Sequence, residues 1–112
     1  MLTTTRKNNH IIVSFPEQDR INTLVSERVK NELKAKFTSQ GITMIIDLEG
    51  IHFVDSSGFG AFLSVMKHAN DNQGQLKIAN ISDEVMELFK MLQLHNIFEL
   101  YTSLDDALES NE

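Results

Sequence analysis

Asp55, Ser56, Ser57 and Gly58 form a short polar segment between an apolar stretch and an amphipathic one. A serine hydroxyl at such a place can cap a helix, act as a nucleophile or accept a phosphate. A phosphate would add about −1.5 to −2 charges beside Asp55, and the N-terminus of a helix tolerates a dianion. If Ser56, or Ser57 as the alternative acceptor, were phosphorylated, the added charge would alter a nearby binding surface.

The helix predicted to follow this segment is poor in charge. Residues 56–66 carry no formal charge, in a chain whose formal net charge is −6. In a helical projection, the side opposite the apolar core stripe carries Ser57, Ala61, Ser64, Val65 and His68. Depletion of charge is typical of the centre of a protein interface. The sequence thus predicts a partner-binding surface on this outward side, unless another helix covers it.

A purely structural role for the two serines is the alternative. At a helix N-cap, a serine hydroxyl accepts a hydrogen bond from an unpaired backbone N–H group and stabilises the helix by about 1 kcal/mol. Gly58 and Gly60 each cost the first turns of the helix about 1 kcal/mol relative to alanine. We expect the close approach of a sheet or of a binding partner to offset that cost.

Other chemistries find less support in the sequence. Ser56 lacks the Gly-x-Ser-x-Gly elbow of hydrolases, and a small hydrolase or nucleotide-binding protein that uses Ser56 and Asp47 is a minor alternative. Gly58-Phe59-Gly60 lacks the third glycine of a dinucleotide-binding fingerprint. The histidines lie far apart in sequence and form no closely spaced ligand pair, so we expect no metal site and no cofactor. They are His10, His52, His68 and His95.

The composition is that of an acidic globular domain. A length of 112 residues suits one domain. The chain has 16 acidic against 10 basic residues and no basic cluster, which argues against binding to nucleic acid. No apolar run reaches the length that spans a membrane. The absence of cysteine fits a reducing compartment, and we expect a cytoplasmic protein without membrane insertion.

Strands and helices alternate along the chain and must position the serine segment. The first residues are polar, so we expect residues 1–9 to be a flexible segment and residues 10–112 to form one domain. His10–Phe15 and Ile42–Leu48 are predicted to be strands, the second of them central and covered on both faces. A short extended piece at Arg20–Asn22 is expected to pair with the first strand.

The remaining elements follow from hydrophobic periodicity and from helix-capping residues. Helices are predicted over Thr23–Ser39 and Ser57–Asn70, and further helices are predicted to begin after the caps Ser82 and Ser103. The inward stripe of the third helix is expected to consist of Val85, Leu88, Phe89 and Leu92. Further short strands are predicted at Ile51–Val54, Leu76–Ala79 and Phe98–Tyr101. The predicted fold class is α/β, a layered domain with a central, mostly parallel sheet of roughly four to five strands and about four helices.

Two segments of the chain resemble a known family. They are IIDLEGIHFVDSSGFGAFL at residues 45–63 and MLQLHNIFELYTSLDDAL at residues 91–108. Together they resemble the STAS domain, the fold of bacterial anti-sigma factor antagonists. In that family the first serine of the Asp-Ser-Ser-Gly motif accepts the phosphate, which corresponds to Ser56, and Asp55 matches the acid of the motif. The resemblance therefore implies a phosphoprotein that acts by partner switching.

The resemblance also implies the partners. The kinase would be a cognate anti-sigma factor of the GHKL type that uses ATP, and a PP2C-type phosphatase would reverse the reaction. The unphosphorylated protein would bind the kinase and free the sigma factor. A second role within the same family is a binding subunit of a transporter or signalling scaffold that is not phosphorylated.

One loop departs from the family pattern. Where the family usually has Gly-x-(Leu or Ile)-Asp, this chain has Asp19-Arg20-Ile21-Asn22. The resemblance places this loop at the kinase interface. The expected partner-binding residues are therefore Asn22, Asp55, Ser56, Ser57, Gly58, Gly60, Ala61, Ser64, Val65 and His68.

Overall fold

The structure, a computed structural model, describes residues 2–7 and 9–110. The parts of the predicted flexible segment and of the C-terminus at residues 1, 8, 111 and 112 lie outside the described residues. The strands are β1 (Thr3–Lys7), β2 (His10–Ser14), β3 (Arg20–Ile21), β4 (Thr43–Asp47), β5 (Phe53–Val54), β6 (Gln75–Ala79) and β7 (Glu99–Leu100). The helices are α1 (Ser26–Lys34), α2 (Ser56–Asp71), α3 (Asp83–Met91) and α4 (Leu104–Glu109).

A five-stranded sheet with the order β1-β2-β4-β6-β7 forms the centre of the molecule. Strands β2, β4, β6 and β7 are parallel to one another, and β1 runs antiparallel to β2 at the edge. The parallel neighbours require crossover connections, and the helices supply most of them. The prediction of an α/β domain with a mostly parallel sheet is confirmed.

The two faces of this sheet are covered unequally. On one face Ile11, Met44 and Ile46 belong to the main core, which also contains buried residues of α1, α2 and α3. On the other face Ile12, Ile45 and Ala79 pack with Ala107 of the short helix α4. Three consecutive residues of β4 are therefore buried, as predicted for a central strand. No helix in the described ranges is long and apolar enough to cross a lipid bilayer.

The N-terminal strand corrects a prediction. Thr3–Lys7 were expected to be flexible, but they pair with β2 in a continuous register from Thr3 opposite Ser14 to Lys7 opposite His10. All five side chains of β1 are exposed. The strand is therefore held by its backbone hydrogen bonds. Its sequence lacks the alternation of apolar and polar residues that would have predicted a strand.

The pairing predicted for Arg20–Asn22 is also wrong. Arg20 and Ile21 form β3, which pairs in parallel with β5 in a separate two-stranded sheet. The ladder continues at both ends, because His52 N donates to Asp19 O at 2.7 Å and Asp55 N donates to Ile21 O at 3.1 Å. Ile21 and Val54 are buried, so this pairing also adds to the core.

The helix caps at Ser82 and Ser103 are confirmed. The Ser82 hydroxyl accepts from Val85 N at 3.2 Å, and the Ser103 hydroxyl accepts from Asp106 N at 3.0 Å. The inward stripe of α3 is correct for Val85 and Phe89 but wrong for Leu92, which is exposed. The reason is that α3 ends at Met91 and the chain turns away there.

A buried lysine joins the sheet to α4. Lys77 on β6 is 1% exposed, and its ammonium group donates to the carbonyl oxygens of Ala107 and Ser110, both at 2.9 Å. The same ammonium lies 5.6 Å from the ring centroid of Tyr101. The buried ammonium group thus donates to carbonyl oxygens at the partly negative C-terminal end of α4.

We predict that Lys77→Ala lowers the free energy of unfolding by about 2–4 kcal/mol, because it removes buried contacts and two charge-assisted hydrogen bonds. Lys77→Met keeps much of the aliphatic volume of the side chain and should lower the free energy of unfolding by less than Lys77→Ala does. Urea denaturation measures both variants, with Lys90→Ala on the exposed side of α3 as the control. A loss below about 0.5 kcal/mol for Lys77→Ala would contradict this role.

Candidate functional site

Two loops meet at one edge of the small sheet. Because β3 and β5 are parallel, the chain leaves both strands at the same edge. The turn that begins at Asn22 follows β3, and the serine segment that begins at Asp55 follows β5. We call Asn22–Leu24 together with Asp55–Gly58 the serine edge.

Asp55, and neither serine, caps α2. Its Oδ1 atom accepts a hydrogen bond from Gly58 N at 3.0 Å and another from the Ser57 hydroxyl at 2.6 Å. The alternative in which a serine hydroxyl caps the helix is therefore wrong. The carboxylate takes that position because its residue has the extended backbone of an N-cap, whereas Ser56 is already the first helical residue.

The two serines differ in accessibility as a result. Ser57 is half-buried and its hydroxyl donates to Asp55. Ser56 is exposed, and its hydroxyl has no hydrogen-bond partner among residues 2–7 and 9–110. Of the two candidate acceptors, Ser56 alone presents an uncommitted hydroxyl to another protein.

The environment of Asp55 favours its charged form. The hydrogen bond from the Ser57 hydroxyl is the largest cause that lowers the pKa of Asp55 below its ordinary value of 3.8. Burial opposes this shift, and backbone hydrogen bonding from Gly58, Ser57 and Thr23 adds to it. Thr23, in the other loop of the serine edge, makes the smallest of these contributions.

Asn22 shapes the turn before α1. Its side-chain Oδ1 accepts from Leu24 N at 3.0 Å, and its carbonyl oxygen accepts from Val25 N and Ser26 N at 3.0 and 2.9 Å. The residue that departs from the family pattern thus holds a local turn through an oxygen that an aspartate would also offer. This turn occupies residues expected to be helical, and α1 begins only at Ser26.

Leu24 is the residue of the serine edge that sequence reasoning missed. Its side chain is 89% exposed, in a turn held by Asn22. The available signal was that Leu24 is a large apolar residue outside the inward stripe of α1, which contains Val29 and Leu33. Leu24 thus adds an exposed apolar side chain to the serine edge.

The two glycines of α2 have different surroundings. A Cβ atom at Gly58 would lie 2.6 Å from Val54 Cγ1 and 2.8 Å from Ile21 O, so the helix lies against the small sheet at this point. The expected close approach of a sheet is confirmed for Gly58. A Cβ at Gly60 would meet no atom of the described chain within 4 Å.

Helix α1 covers much of the face of α2 that was expected to be free. Ala61 and Val65 are buried, and the His68 ring packs edge-on against Phe37 with 5.7 Å between centroids. The predicted outward surface is therefore wrong for Ala61 and Val65. The helical projection had left open the possibility of a second covering helix, and that is what the structure shows.

An open groove of about 210 Å³ remains between the two helices. From α2 it is lined by Ser57, Gly60, Ala61 and Ser64, and from α1 by Ser26, Glu27 and Lys30. The Lys30 ammonium lies 3.1 Å from the Glu27 carboxylate. The part of the predicted surface that stays accessible is this groove and the serine edge beside it.

Asp47, the acid of the hydrolase alternative, has hydrogen-bond partners other than Ser56. Asp47 Oδ1 accepts from Glu49 N at 3.0 Å and from Asn80 Nδ2 at 2.9 Å, which joins the ends of β4 and β6. His52 Nδ1 lies 3.7 Å from Glu84 Oε2. Within the described chain, no group of three or more His, Asp or Glu side chains is placed to hold a metal ion.

Comparisons with known proteins agree with this fold. Residues 2–107 match the STAS domain. The anti-sigma-B factor antagonist of Listeria monocytogenes is 30% identical over 95 residues, which cover 85% of this chain and 82% of that protein. The anti-sigma-factor antagonist (STAS) domain protein from Planctomyces limnophilus has a TM-score of 0.84 at 21% identity, over 96% of this chain and 94% of that one. The Bacillus cell fate determinant SpoIIAA in its phosphorylated form has a TM-score of 0.71 at 16% identity, over 97% of both chains.

We predict opposite effects of the same substitution at the two glycines of α2. Gly58→Ala should lower the free energy of unfolding by about 1–3 kcal/mol, because the backbone oxygen of Ile21 cannot move away cheaply. Gly60→Ala should raise it by up to about 1 kcal/mol, because alanine favours a helix and the new methyl group meets open space. Denaturant unfolding of both variants measures the difference. Equal changes in the free energy of unfolding would contradict the conclusion that the small sheet lies close to Gly58 and not to Gly60.

A second prediction follows from the lowered pKa of Asp55. Its charged form contributes stability that is present above the ordinary aspartate pKa of 3.8 and is lost as the pH falls through the lower value in the folded protein. Asp55→Asn keeps a capping oxygen without the charge. The stability difference between wild type and Asp55→Asn should be constant between about pH 5 and 7 and should shrink below about pH 4.

Unfolding curves at a series of pH values measure this difference, and Asp105→Asn near the exposed start of α4 is the control. A difference that grows toward acidic pH would show that the carboxylate does not stabilise the fold through its charge.

Proposed function

Because the chain belongs to the STAS domain family, we propose that it is an anti-sigma factor antagonist that binds an anti-sigma factor through the serine edge. Phosphorylation of Ser56 switches this binding off. The observation that carries the proposal is the exposed Ser56 hydroxyl, left uncommitted because Asp55 caps the helix. The name of the Listeria relative and the phosphorylated form of SpoIIAA support the same role.

The switch acts through local charge. A phosphate on Ser56 adds about −1.5 to −2 charges next to the Asp55 carboxylate. The N-terminal end of α2 tolerates this charge, so the fold does not have to change. A partner that covers the serine edge must remove water from both anionic groups, which costs several kcal/mol without matching cations. Binding is lost while the domain stays folded.

The proposed partners are those that the family resemblance implies. The anti-sigma factor is itself the serine kinase, of the GHKL type, and uses ATP to modify Ser56. A PP2C-type phosphatase removes the phosphate. The interface consists of the serine edge and the accessible lining of the groove, Gly60 and Ser64. The buried residues Ala61 and Val65 act only as support for that surface.

We predict that wild type gains one phosphate when it is incubated with its cognate kinase and ATP, and that Ser56→Ala gains none. Ser57→Ala is the matched control and should still be modified, since Ser57 donates its hydroxyl to Asp55. Intact-mass spectrometry measures each product. Modification of Ser56→Ala to the same extent as wild type would contradict the assignment of the acceptor.

Ser56→Asp should weaken binding to the anti-sigma factor by at least about tenfold, or about 1.4 kcal/mol. The asparagine of Ser56→Asn has the size of aspartate without its charge, so this variant should bind with an affinity within about threefold of that of wild type. Calorimetric titration with the purified anti-sigma factor measures both. Unchanged affinity for Ser56→Asp would favour a binding subunit that phosphorylation does not regulate.

Leu24 gives a further prediction for the same interface. Because its side chain is exposed at the serine edge, Leu24→Ser should leave the free energy of unfolding within about 0.5 kcal/mol of wild type. It should weaken anti-sigma factor binding about tenfold, because a partner that covers the serine edge would bury this apolar side chain. Leu92→Ser, on another exposed surface, is the control. Full affinity for Leu24→Ser would exclude Leu24 from the interface.

A further inference from the structure

The groove between α1 and α2 is lined by a hydroxyl group that the fold leaves without a partner. Ser26, the first residue of α1, is only 8% exposed and lines this groove. Its hydroxyl makes no hydrogen bond with any part of the chain that the structure describes. Buried polar groups are nearly always hydrogen-bonded. An unpaired, buried hydroxyl that lines an open groove therefore indicates a site for a polar group from another molecule.

Two further serines add hydrogen-bonding capacity to the groove. The Ser64 hydroxyl on α2 has no hydrogen-bond partner among residues 2–7 and 9–110. The Ser57 hydroxyl donates its proton to Asp55, so its oxygen remains able to accept. Since a serine hydroxyl both donates and accepts, the groove offers donors and acceptors from both helices.

The lining of the groove carries no net charge. The Lys30 ammonium lies 3.1 Å from the Glu27 carboxylate, and no other charged side chain of the described ranges lines the groove. Over their whole length, α1, α2 and the N-cap residue Asp55 carry four basic and four acidic residues. This region is therefore balanced in charge, and hydrogen bonding decides which group the groove binds.

The groove has the size of one side chain. Its volume is about 210 Å³, which corresponds to about seven water molecules at about 30 Å³ each. Sites for small-molecule ligands usually start at about 300 Å³. Gly60 keeps the groove open, because a Cβ atom at this position would meet no atom of the described chain within 4 Å.

The groove is continuous with the serine edge. Ser57 belongs to the serine edge and also lines the groove. Gly60, Ala61 and Ser64 follow it at three, four and seven residues, which places all four on one side of α2. A protein that covers the serine edge therefore meets the groove in the same interface.

We propose that this groove is a pocket for one carboxamide side chain, of asparagine or glutamine, from the anti-sigma factor. A carboxamide donates through its nitrogen and accepts through its oxygen. It therefore bonds to the Ser26 and Ser64 hydroxyls and leaves the ion pair of Glu27 with Lys30 intact. The identity of the partner rests on the proposed function, whereas the chemistry of the side chain that enters the groove does not.

The lining disfavours the three other classes of side chain. A carboxylate would compete with Glu27 for the Lys30 ammonium, and a cation would compete with Lys30 for Glu27. An apolar side chain would displace water from the groove without replacing its hydrogen bonds, and the Ser26 hydroxyl would stay unpaired.

The chemistry of the groove is tested with three small molecules of similar size. Propionamide has the carboxamide group, propionate replaces it with a carboxylate, and n-propylammonium carries a positive charge. Each is titrated into the isotope-labelled protein to about 0.1 M, and backbone amide NMR shifts are followed. Propionamide should shift the amides of Ser26, Gly60 and Ser64, with an affinity at least about threefold above that for either ion.

A serine variant assigns this binding to the groove. Ser26→Ala should reduce the affinity for propionamide at least about threefold. Its free energy of unfolding should equal or exceed that of wild type, because the hydroxyl has no partner in the free protein. Ser39→Ala, at an exposed position after α1, is the matched control and should leave both quantities unchanged.

The partner is tested by calorimetric titration with the purified anti-sigma factor. Gly60→Leu fills the groove and should weaken binding at least about tenfold, without a loss of stability because the new side chain meets open space. Asn70→Leu adds the same side chain at an exposed position of α2 outside the groove, and it should retain full affinity. Ser26→Ala should also weaken binding, whereas an apolar side chain in the groove would bind this variant more tightly.

Four results would overturn the proposal. They are tighter binding of propionate or n-propylammonium than of propionamide, the absence of propionamide shifts at about 0.1 M, full propionamide affinity of Ser26→Ala, and full anti-sigma factor affinity of Gly60→Leu. An anti-sigma factor that does not bind wild type would overturn the proposed function and with it the partner named for the groove. The propionamide titration decides the chemistry of the groove in either case.

Discussion

The carboxylate of Asp55 accepts hydrogen bonds from the backbone of Gly58 and from the hydroxyl of Ser57, and the rest of the site depends on this arrangement. An N-cap has to be filled, because the first N–H groups of a helix have no partners within it. Since Asp55 fills it, Ser57 is engaged and Ser56 remains free on the first turn. The same interactions lower the pKa of Asp55, so the carboxylate stays charged at neutral pH.

The small parallel sheet brings the second loop to this carboxylate. Pairing of Ile21 with Val54 makes the chain leave both strands at one edge, and Asp55 N continues the ladder to Ile21 O. Gly58 then allows α2 to lie against these two residues, where any side chain would collide. Two buried strand residues and one glycine thus position the two loops that carry Ser56 and Leu24. Negative charge added at Ser56 changes the exposed surface and leaves the buried residues beneath it unchanged.

Local signals predicted the parts of the fold that depend on local physics. The caps at Ser82 and Ser103 and the buried strand β4 were predicted because hydroxyl spacing and apolar runs report them directly. The cap of α2 was missed because aspartate and serine both cap helices well. Only the backbone geometry decides whether Asp55, Ser56 or Ser57 takes the N-cap position. The burial of Ala61 and Val65 depends on how α1 packs against α2, and a helical projection of α2 alone does not show that packing. The edge strand β1 has no apolar pattern at all, since all its side chains are exposed.

A carboxyl-carbon NMR titration of Asp55 in the unphosphorylated protein tests the role of this carboxylate. We predict a pKa below 3.8 for Asp55, and we expect the amide signals of Thr23, Ser57 and Gly58 to move with the same titration. Such coupling would show that one charged group organises both loops. A pKa at or above the ordinary aspartate value, with no response at Thr23, would contradict the central role given to this carboxylate.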